Sequence, residues 1–270
     1  VLAVFSSPSR FRGCRETIPQ LKLMRELMEI QEGIPDDRRV VRPAARFPDD
    51  LAGPLRQYRP RIIQFSGHAE RGRPGEGGGI VGGRLFFEMR DGNACVPPAA
   101  AFIDHLRHDP RLECVFLNAC LSSGLARDIV QKLEMPGLAV VCWTTKVNDP
   151  AAITFSRGFY QRVARQLQSP AAASRVGADI GDAFFAGLHA FHSKGYQYAD
   201  PADCRVPPPE IGGCVVCVRA DNAHLDDAQL VQRTSAEYEQ WKQRGTAPRH
   251  RNSPIEQFRT AAESVRFMAR

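Results

Sequence analysis

His68 and Cys120 are the two side chains whose types and settings point to chemistry. His68 ends the apolar run Arg61-Ile-Ile-Gln-Phe-Ser-Gly-His68-Ala, and Cys120 ends Leu112-Glu-Cys-Val-Phe-Leu-Asn-Ala-Cys120-Leu-Ser-Ser-Gly. A thiol with a pKa of about 8.5 is mostly protonated at neutral pH. A nearby imidazole, helped by a helix N-terminus after Ser122, lowers that value or removes the proton during attack. The thiolate attacks an amide carbonyl while main-chain N–H groups hold the oxyanion. The imidazole then protonates the departing amine, and water clears the acyl-enzyme. Alone, either residue reads as packing. Together, at corresponding ends of two apolar runs and each flanked by small residues, they read as a catalytic pair.

Such a pair must be brought together by the elements that carry it. Short apolar runs predict strands at Val1–Phe5, Arg61–Ser66, Arg84–Met89, Leu112–Asn118, Leu138–Trp143 and Ile211–Arg219. Ile18, Leu21, Met24, Leu27 and Met28 recur at helical spacing and predict one amphipathic helix. Further helices are expected over Ser122–Leu133, Pro150–Leu167 and Val176–Phe191. Strands of four to seven residues alternating with helices argue a mostly parallel α/β sheet covered on both faces. Reactive groups gather at the carboxyl ends of such strands, so two successive core strands would set His68 and Cys120 on one edge.

The remaining segments are punctuation or appendage. Residues 70–83 read as a Gly-rich, Arg-studded loop, and residues 206–213 as a Pro/Gly connector. Beyond Asp221 the composition turns polar, with helical patterns over 226–243 and 254–269 separated by the breaker stretch 245–254. The expected organisation is a main domain over 1–220 and a polar, basic appendage or linker over 221–270. The chain opens with Val1 rather than Met, so a piece of a longer protein is expected.

Composition narrows the function classes. A chain of 270 residues with 43% apolar and 24% charged residues can bury one sizeable α/β core. Its formal net charge is +6, yet residues 241–270 hold seven Lys/Arg against Glu256 and Glu263, leaving about +1 for the rest. The basic balance describes the tail, and no nucleic-acid partner is expected for the body. No apolar run approaches the roughly 18 residues of a membrane helix, and the opening lacks a signal peptide's basic lead. Eight irregularly spaced cysteines, several in apolar stretches, fit free thiols in a reducing, cytoplasmic compartment.

Other motifs fail on context. Gly77 to Gly82 spells G-x-G-x-x-G, but it follows a polar loop and opens a strand, the reverse of a dinucleotide fingerprint. Cys214-x-x-Cys217 lies in an apolar strand with no second ligand pair, so two buried thiols are expected rather than zinc. His105 with His108, and His189 with His192, read as helix-end groups rather than ligand pairs. No cofactor or metal is expected.

The chain resembles the caspase-like cysteine peptidases, and specifically a CHAT domain. The similar stretches are Ile63-Gln-Phe-Ser-Gly-His68-Ala, Leu85-Phe-Phe-Glu-Met-Arg-Asp91-Gly92, Val115-Phe-Leu-Asn-Ala-Cys120-Leu-Ser, Val140-Val-Cys-Trp143, Val147-Asn-Asp149-Pro-Ala-Ala152 and Phe155-Ser-Arg-Gly-Phe-Tyr160. The resemblance implies a three-layer sandwich with about six strands, His68 as general base and acid, and Cys120 as nucleophile. It also implies an oxyanion held by the backbone N–H groups of Ala69 and Cys120, with Ala69 standing where many relatives have Gly. The cysteine's context differs from the Gln-Ala-Cys motif of true caspases. Separase, another relative, uses an acidic residue in the loop matching Asp149 to read a basic side chain, and a carboxylate there pairs well with Arg or Lys. Asp149 is equally a candidate N-cap for the next helix. Glu88 and Asp91 are further acidic candidates, although Asp91-Gly92 also reads as a hairpin turn.

The function expected from these readings is a cysteine endopeptidase making regulatory cuts in protein substrates. Its control would come from attached modules such as TPR-type repeats. The alternative is an inactive caspase-like interaction module.

Overall fold

Apolar residues on both faces of five short strands build one large sheet. The computed structural model describes residues 1–74, 80–168, 179–202, 205, 207–208 and 210–246. Its elements in chain order are β1 (Leu2–Ser6), β2 (Arg10–Phe11), α1 (Leu23–Gly33), a 3-10 turn (Asp36–Arg38), β3 (Val40–Arg42), α2 (Asp49–Tyr58), β4 (Ile62–Gly67), β5 (Ala69–Pro74), β6 (Ile80–Leu85), β7 (Phe87–Glu88), β8 (Asn93–Cys95), α3 (Ala99–Leu106), β9 (Cys114–Asn118), α4 (Ser123–Leu133), β10 (Ala139–Trp143), α5 (Asp149–Gln168), α6 (Ile180–Ser193), β11 (Val215–Val218) and α7 (Asp227–Thr246).

The six-stranded sheet runs β11-β10-β9-β4-β1-β3. Every pairing is parallel except β10 with β11, which is antiparallel. Strands buried on both sides cannot alternate apolar with polar, which is why these runs are almost continuously hydrophobic. One face meets α2, α3 and α4: Val4, Phe65, Val115, Leu117 and Val140 pack in one cluster with Leu55, Phe102, Leu106, Leu125 and Ile129. The other face meets α1, α5 and α6. There Phe116 packs against Phe155 and Phe159 at ring separations of 5.6 and 5.4 Å, and Trp143 against Phe155 and Phe191 at 5.9 and 6.2 Å. This is the expected mixed α/β architecture of about six mostly parallel strands with helices on both sides.

Four local expectations are corrected. The helix near the start begins only at Leu23, so Ile18 and Leu21 lie outside it, and Met24 and Met28 are 67% and 52% exposed. Its buried residues are Glu26 and Ile30, a face rotated away from the methionines. The strand expected over Arg84–Met89 is broken into β6 and β7, because Phe86 N–H turns aside to donate to His68 O (3.0 Å). The loop expected over 70–83 is largely an antiparallel hairpin of β5 with β6, in which Arg84 and Glu70 stand opposite each other and pair. The last strand is shorter than the expected Ile211–Arg219. Cys214 and Cys217 are both buried, as expected. The helix expected over 254–269, Gly77 to Gly79, and residues 176–178 of the fourth helix lie outside the described residues, as does Cys204.

The chain forms two compact units, Val1–Ser235 and Ala236–Arg270. The expected boundary after residue 220 falls inside the first of them. There Arg127 of α4 donates to Leu225 O (3.0 Å) and to the Asp227 carboxylate (2.6 Å) as a buried ion pair. Within the second unit Tyr238 and Trp241 stack at 6.0 Å. Among the described residues no helix is long and apolar enough to cross a membrane.

Helices α5 and α6 touch at Gly158. A Cβ there would stand 2.6 Å from Ala190 Cβ and 2.7 Å from Ala186 O, and the latter is backbone that cannot swing away. Gly158→Ala is therefore expected to lower the unfolding free energy by about 1–3 kcal/mol through overpacking. Met24→Ala, on the exposed side of α1, should stay within about 0.5 kcal/mol. Urea midpoints of the two variants check this directly; equal midpoints would contradict the close helix contact.

Candidate active site

The register of the two central strands sets the site. β4 and β9 are parallel with Ser66 opposite Asn118, so His68 and Cys120 each stand two residues beyond the same rung. The carboxyl ends of β4 and β9 open onto one cleft with a cavity volume of about 50 Å³. It is lined by Leu21, Lys22 and Glu26 from the segment between β2 and α1 and the start of α1, and by His68 and Cys120 from the two strand ends. Val147 and Asp149 line it from the approach to α5. The chain leaves β1 toward β3 on one side and returns past it to β4, so this cleft adjoins the point where strand order reverses, the usual ligand crevice of such sheets.

Gly67 lets β4 end close against β1. A Cβ there would lie 2.5 Å from Ser6 O and 2.9 Å from the Phe65 ring, so no larger residue fits without moving His68. The His68 Nε2 lies 2.7 Å from Pro19 O. A carbonyl only accepts, so Nε2 carries the proton and Nδ1 is left as the basic nitrogen. Burial pulls the imidazole's pKa below 6.5; the Pro19 carbonyl and the Asp149 charge oppose this without reversing it. At neutral pH the ring is therefore uncharged and able to accept a proton.

Cys120 sits at the head of a tightly held turn. Leu121 adopts φ +54°, a left-handed conformation costing on the order of 1 kcal/mol for a branched residue. It is secured by Leu121 N–H to Thr145 O (3.1 Å), Ser122 N–H to Trp143 O (2.8 Å) and Ser122 Oγ–H to Ala119 O (2.7 Å). The thiol receives Val147 N–H at 3.4 Å. Burial pushes its pKa up, while the Val147 N–H and Lys146 oppose the shift. Of the two routes to a thiolate, lowering the resting pKa is thus overturned, because desolvation outweighs every favourable contact. Removal of the proton during attack is the route this setting permits.

Asp149 is not the helix N-cap. Asn148 takes that role, accepting Ala151 N–H at its Oδ1 (2.9 Å), which leaves the Asp149 carboxylate on the cleft, where it accepts Lys22 N–H (3.1 Å). Glu88 lies elsewhere: its carboxylate accepts Ser7 N–H (2.8 Å) and anchors the loop after β1. Asp91 caps the β7–β8 turn, accepting from Asn93 N–H (3.1 Å) and Asn93 Nδ2 (2.6 Å), with Gly92 at φ +75°. Neither lines the cleft. Ala69 stands opposite Leu85, and the neighbouring bond from Phe86 N–H to His68 O marks this as a rung whose own N–H groups point away from the partner strand. No cluster of three or more His, Cys, Asp or Glu able to hold a metal occurs among the described residues.

Sequence reading missed two features of the site. The Pro19 carbonyl is backbone and leaves no residue-type signal. Glu26 does leave one. It is 3% exposed, and it receives Gln64 Nε2, Asn118 Nδ2 and Ser156 Oγ (3.0 Å) at its carboxylate. Gln64 also donates to Ser66 Oγ (2.7 Å), and Trp143 Nε1 donates to Asn118 Oδ1 (2.8 Å). Gln64, Ser66 and Asn118 are the polar residues of two otherwise apolar strands, and period-two alternation sets them on one face. Burial raises the Glu26 carboxyl from 4.5 to about 7, against the pull of its four hydrogen-bonding neighbours Asn118, Ser156, Ser66 and Gln64.

No protein-family model matches the chain, and no curated protein matches its sequence. Among solved structures it is similar to a secreted C11 cysteine protease from Bacteroides thetaiotaomicron, determined by X-ray in complex with an irreversible peptide inhibitor. The TM-score is 0.44 at 10% sequence identity, over 82% of this chain and 67% of that one.

Glu26 makes stability pH-dependent with a definite sign. The folded chain binds its proton more tightly than the unfolded chain, so the contribution is full below 4.5 and is lost as pH rises to about 7. The loss is on the order of 2–3 kcal/mol. Urea titrations at about pH 5 and about pH 8 should show this decline, and Glu26→Gln should flatten it. A decline of equal size in the variant would contradict the assignment.

Proposed function

We propose that the chain is a caspase-like cysteine endopeptidase, with His68 and Cys120 as a dyad. The observation that carries the reading is that both residues, equivalent in register on adjacent parallel strands, line one open cleft. The His68 tautomer adds support, since Nε2–H is committed to Pro19 O and Nδ1 is the free base.

In the proposed reaction Cys120 Sγ attacks the scissile carbonyl as its proton passes to His68 Nδ1. The oxyanion takes the backbone N–H groups of Ala69 and Cys120. His68 returns the proton to the departing amine as the C–N bond breaks, leaving a thioester. Water then attacks the thioester; His68 takes its proton and hands it to the sulfur as the C–S bond breaks. Neutral imidazole beside neutral thiol makes this general-base chemistry, with no standing ion pair required.

The Asp149 carboxylate, released from capping by Asn148, fits a substrate with Arg or Lys before the cut. Protein substrates, a cytoplasmic setting and control by attached modules such as TPR-type repeats complete the proposal. Buried thiols at Cys114, Cys142, Cys214 and Cys217 fit a reducing compartment.

Treating the purified chain, with and without neighbouring modules, with a peptidyl electrophile bearing P1 Arg tests the reading. The expected result is a mass-mapped adduct on Cys120 that is lost in His68→Ala. Asp149→Asn should slow labelling by the P1 Arg reagent by about tenfold more than labelling by a neutral one. Labelling spread over several cysteines and indifferent to His68 would instead support an inert interaction module.

A further inference from the structure

Beneath the cleft lies a buried carboxylate that the proposed reaction does not use. We infer that Glu26 is a positioning residue of the proposed peptidase, and that its ionised carboxylate clamps together the ends of β4 and β9 that present His68 and Cys120. The inference rests on the peptidase reading for its consequence, and on geometry for its form.

Three elements converge on Glu26. Gln64 of β4 donates to it four residues before His68, Asn118 of β9 donates to it two residues before Cys120, and Ser156 of α5 donates from 3.0 Å. An ionised carboxylate is acceptor-only and satisfies three donors at once. All three donate to the one oxygen Oε1, and bonds to an ionised oxygen are roughly twice as strong as bonds to a neutral one, so protonation at Oε2 weakens all three. Gln64 Oε1 is buried and unpartnered, so the Gln64 amide is held through its Nε2, which donates to Glu26 and to Ser66 Oγ (2.7 Å). Weakening the Glu26 contact leaves that amide with Ser66 Oγ, on its own strand, as its remaining partner. The strand end carrying His68 would then loosen from the one carrying Cys120.

Few charges act on this centre. α5 presents Ser156 and the buried, unpartnered Tyr160 hydroxyl; β4 presents Gln64 and Ser66, and β9 presents Asn118. On α1, Glu29 is engaged by Arg157 Nε of α5 (2.7 Å). The other titratable groups on the cleft are Lys22, His68, Cys120 and Asp149. The influences on the Glu26 carboxyl are burial and hydrogen bonds, and its pKa of about 7 places the weakening of the clamp in the neutral range.

The test is the rate of Cys120 alkylation by iodoacetamide against pH, read site by site by mass spectrometry on the full chain. Wild type should show an inflection near neutrality in addition to the rise from thiol ionisation. Glu26→Gln, which has one acceptor and one donor, should react at alkaline pH roughly ten- to a hundredfold more slowly, with the neutral inflection gone. Its urea midpoint at alkaline pH should be no lower than that of wild type. Ser156→Ala, which removes one donor without touching the cleft, should move the inflection upward in pH. A folded Glu26→Gln with the wild-type rate and profile would overturn the inference, as would an unmoved inflection in Ser156→Ala. His68→Ala separates the two proposals: if Cys120 reacts equally without His68, the peptidase reading fails, whereas the Glu26 dependence is scored on its own.

Discussion

Parallel pairing of β4 with β9, in the register that sets Ser66 opposite Asn118, is the constraint on which the site depends. A one-residue slip would turn each side chain to the other face of the sheet. It would drop Gln64 and Asn118 out of their shared centre and separate His68 from Cys120. Two things hold that register: the apolar contacts that bury both strands on both faces, and the polar centre around Glu26 that ties their ends to α1 and α5. The segment between β2 and α1 and the start of α5 then complete the cleft, one giving the Pro19 carbonyl and the other the Asp149 carboxylate.

Desolvation is the common electrostatic theme. It raises the Cys120 thiol, lowers the His68 imidazole and raises Glu26. The first two shifts leave an uncharged pair at neutral pH, a setting suited to proton transfer in concert with attack. The third leaves a carboxyl whose charge is costly but strengthens the three bonds that Oε1 accepts. Local strain belongs to the same design: Leu121 occupies a left-handed conformation directly after Cys120, and Gly67 allows a backbone approach that no side chain would permit.

The strands, and the placement of His68 and Cys120 at their ends, were legible because each is a short-range pattern. Continuous apolar runs mark doubly covered strands, and His68 and Cys120 stand at their ends next to small residues. The first helix was misread because its apolar residues outnumber its buried ones: Met24 and Met28 suggested a face that the helix turns to solvent. Glu26 fell on the face that is actually buried, and a charged residue inside a helix reads as exposed unless its partners, here distant in sequence, are known. The hairpin of β5 and β6 was hidden by glycine and arginine, which carry no alternation. Asp149 and Asn148 are neighbours that compete for one cap, and only the backbone geometry decides between them.

The account stands or falls on His68 and Cys120 acting as one proton-exchanging unit. The nitrogen-15 spectrum of the His68 ring, recorded near neutral pH before and after alkylation of Cys120, reads this most directly. A neutral ring protonated at Nε2, whose Nδ1 resonance and titration change when the sulfur is capped, is the result predicted. A ring that is already charged, or protonated at Nδ1, or blind to the state of Cys120, would contradict it.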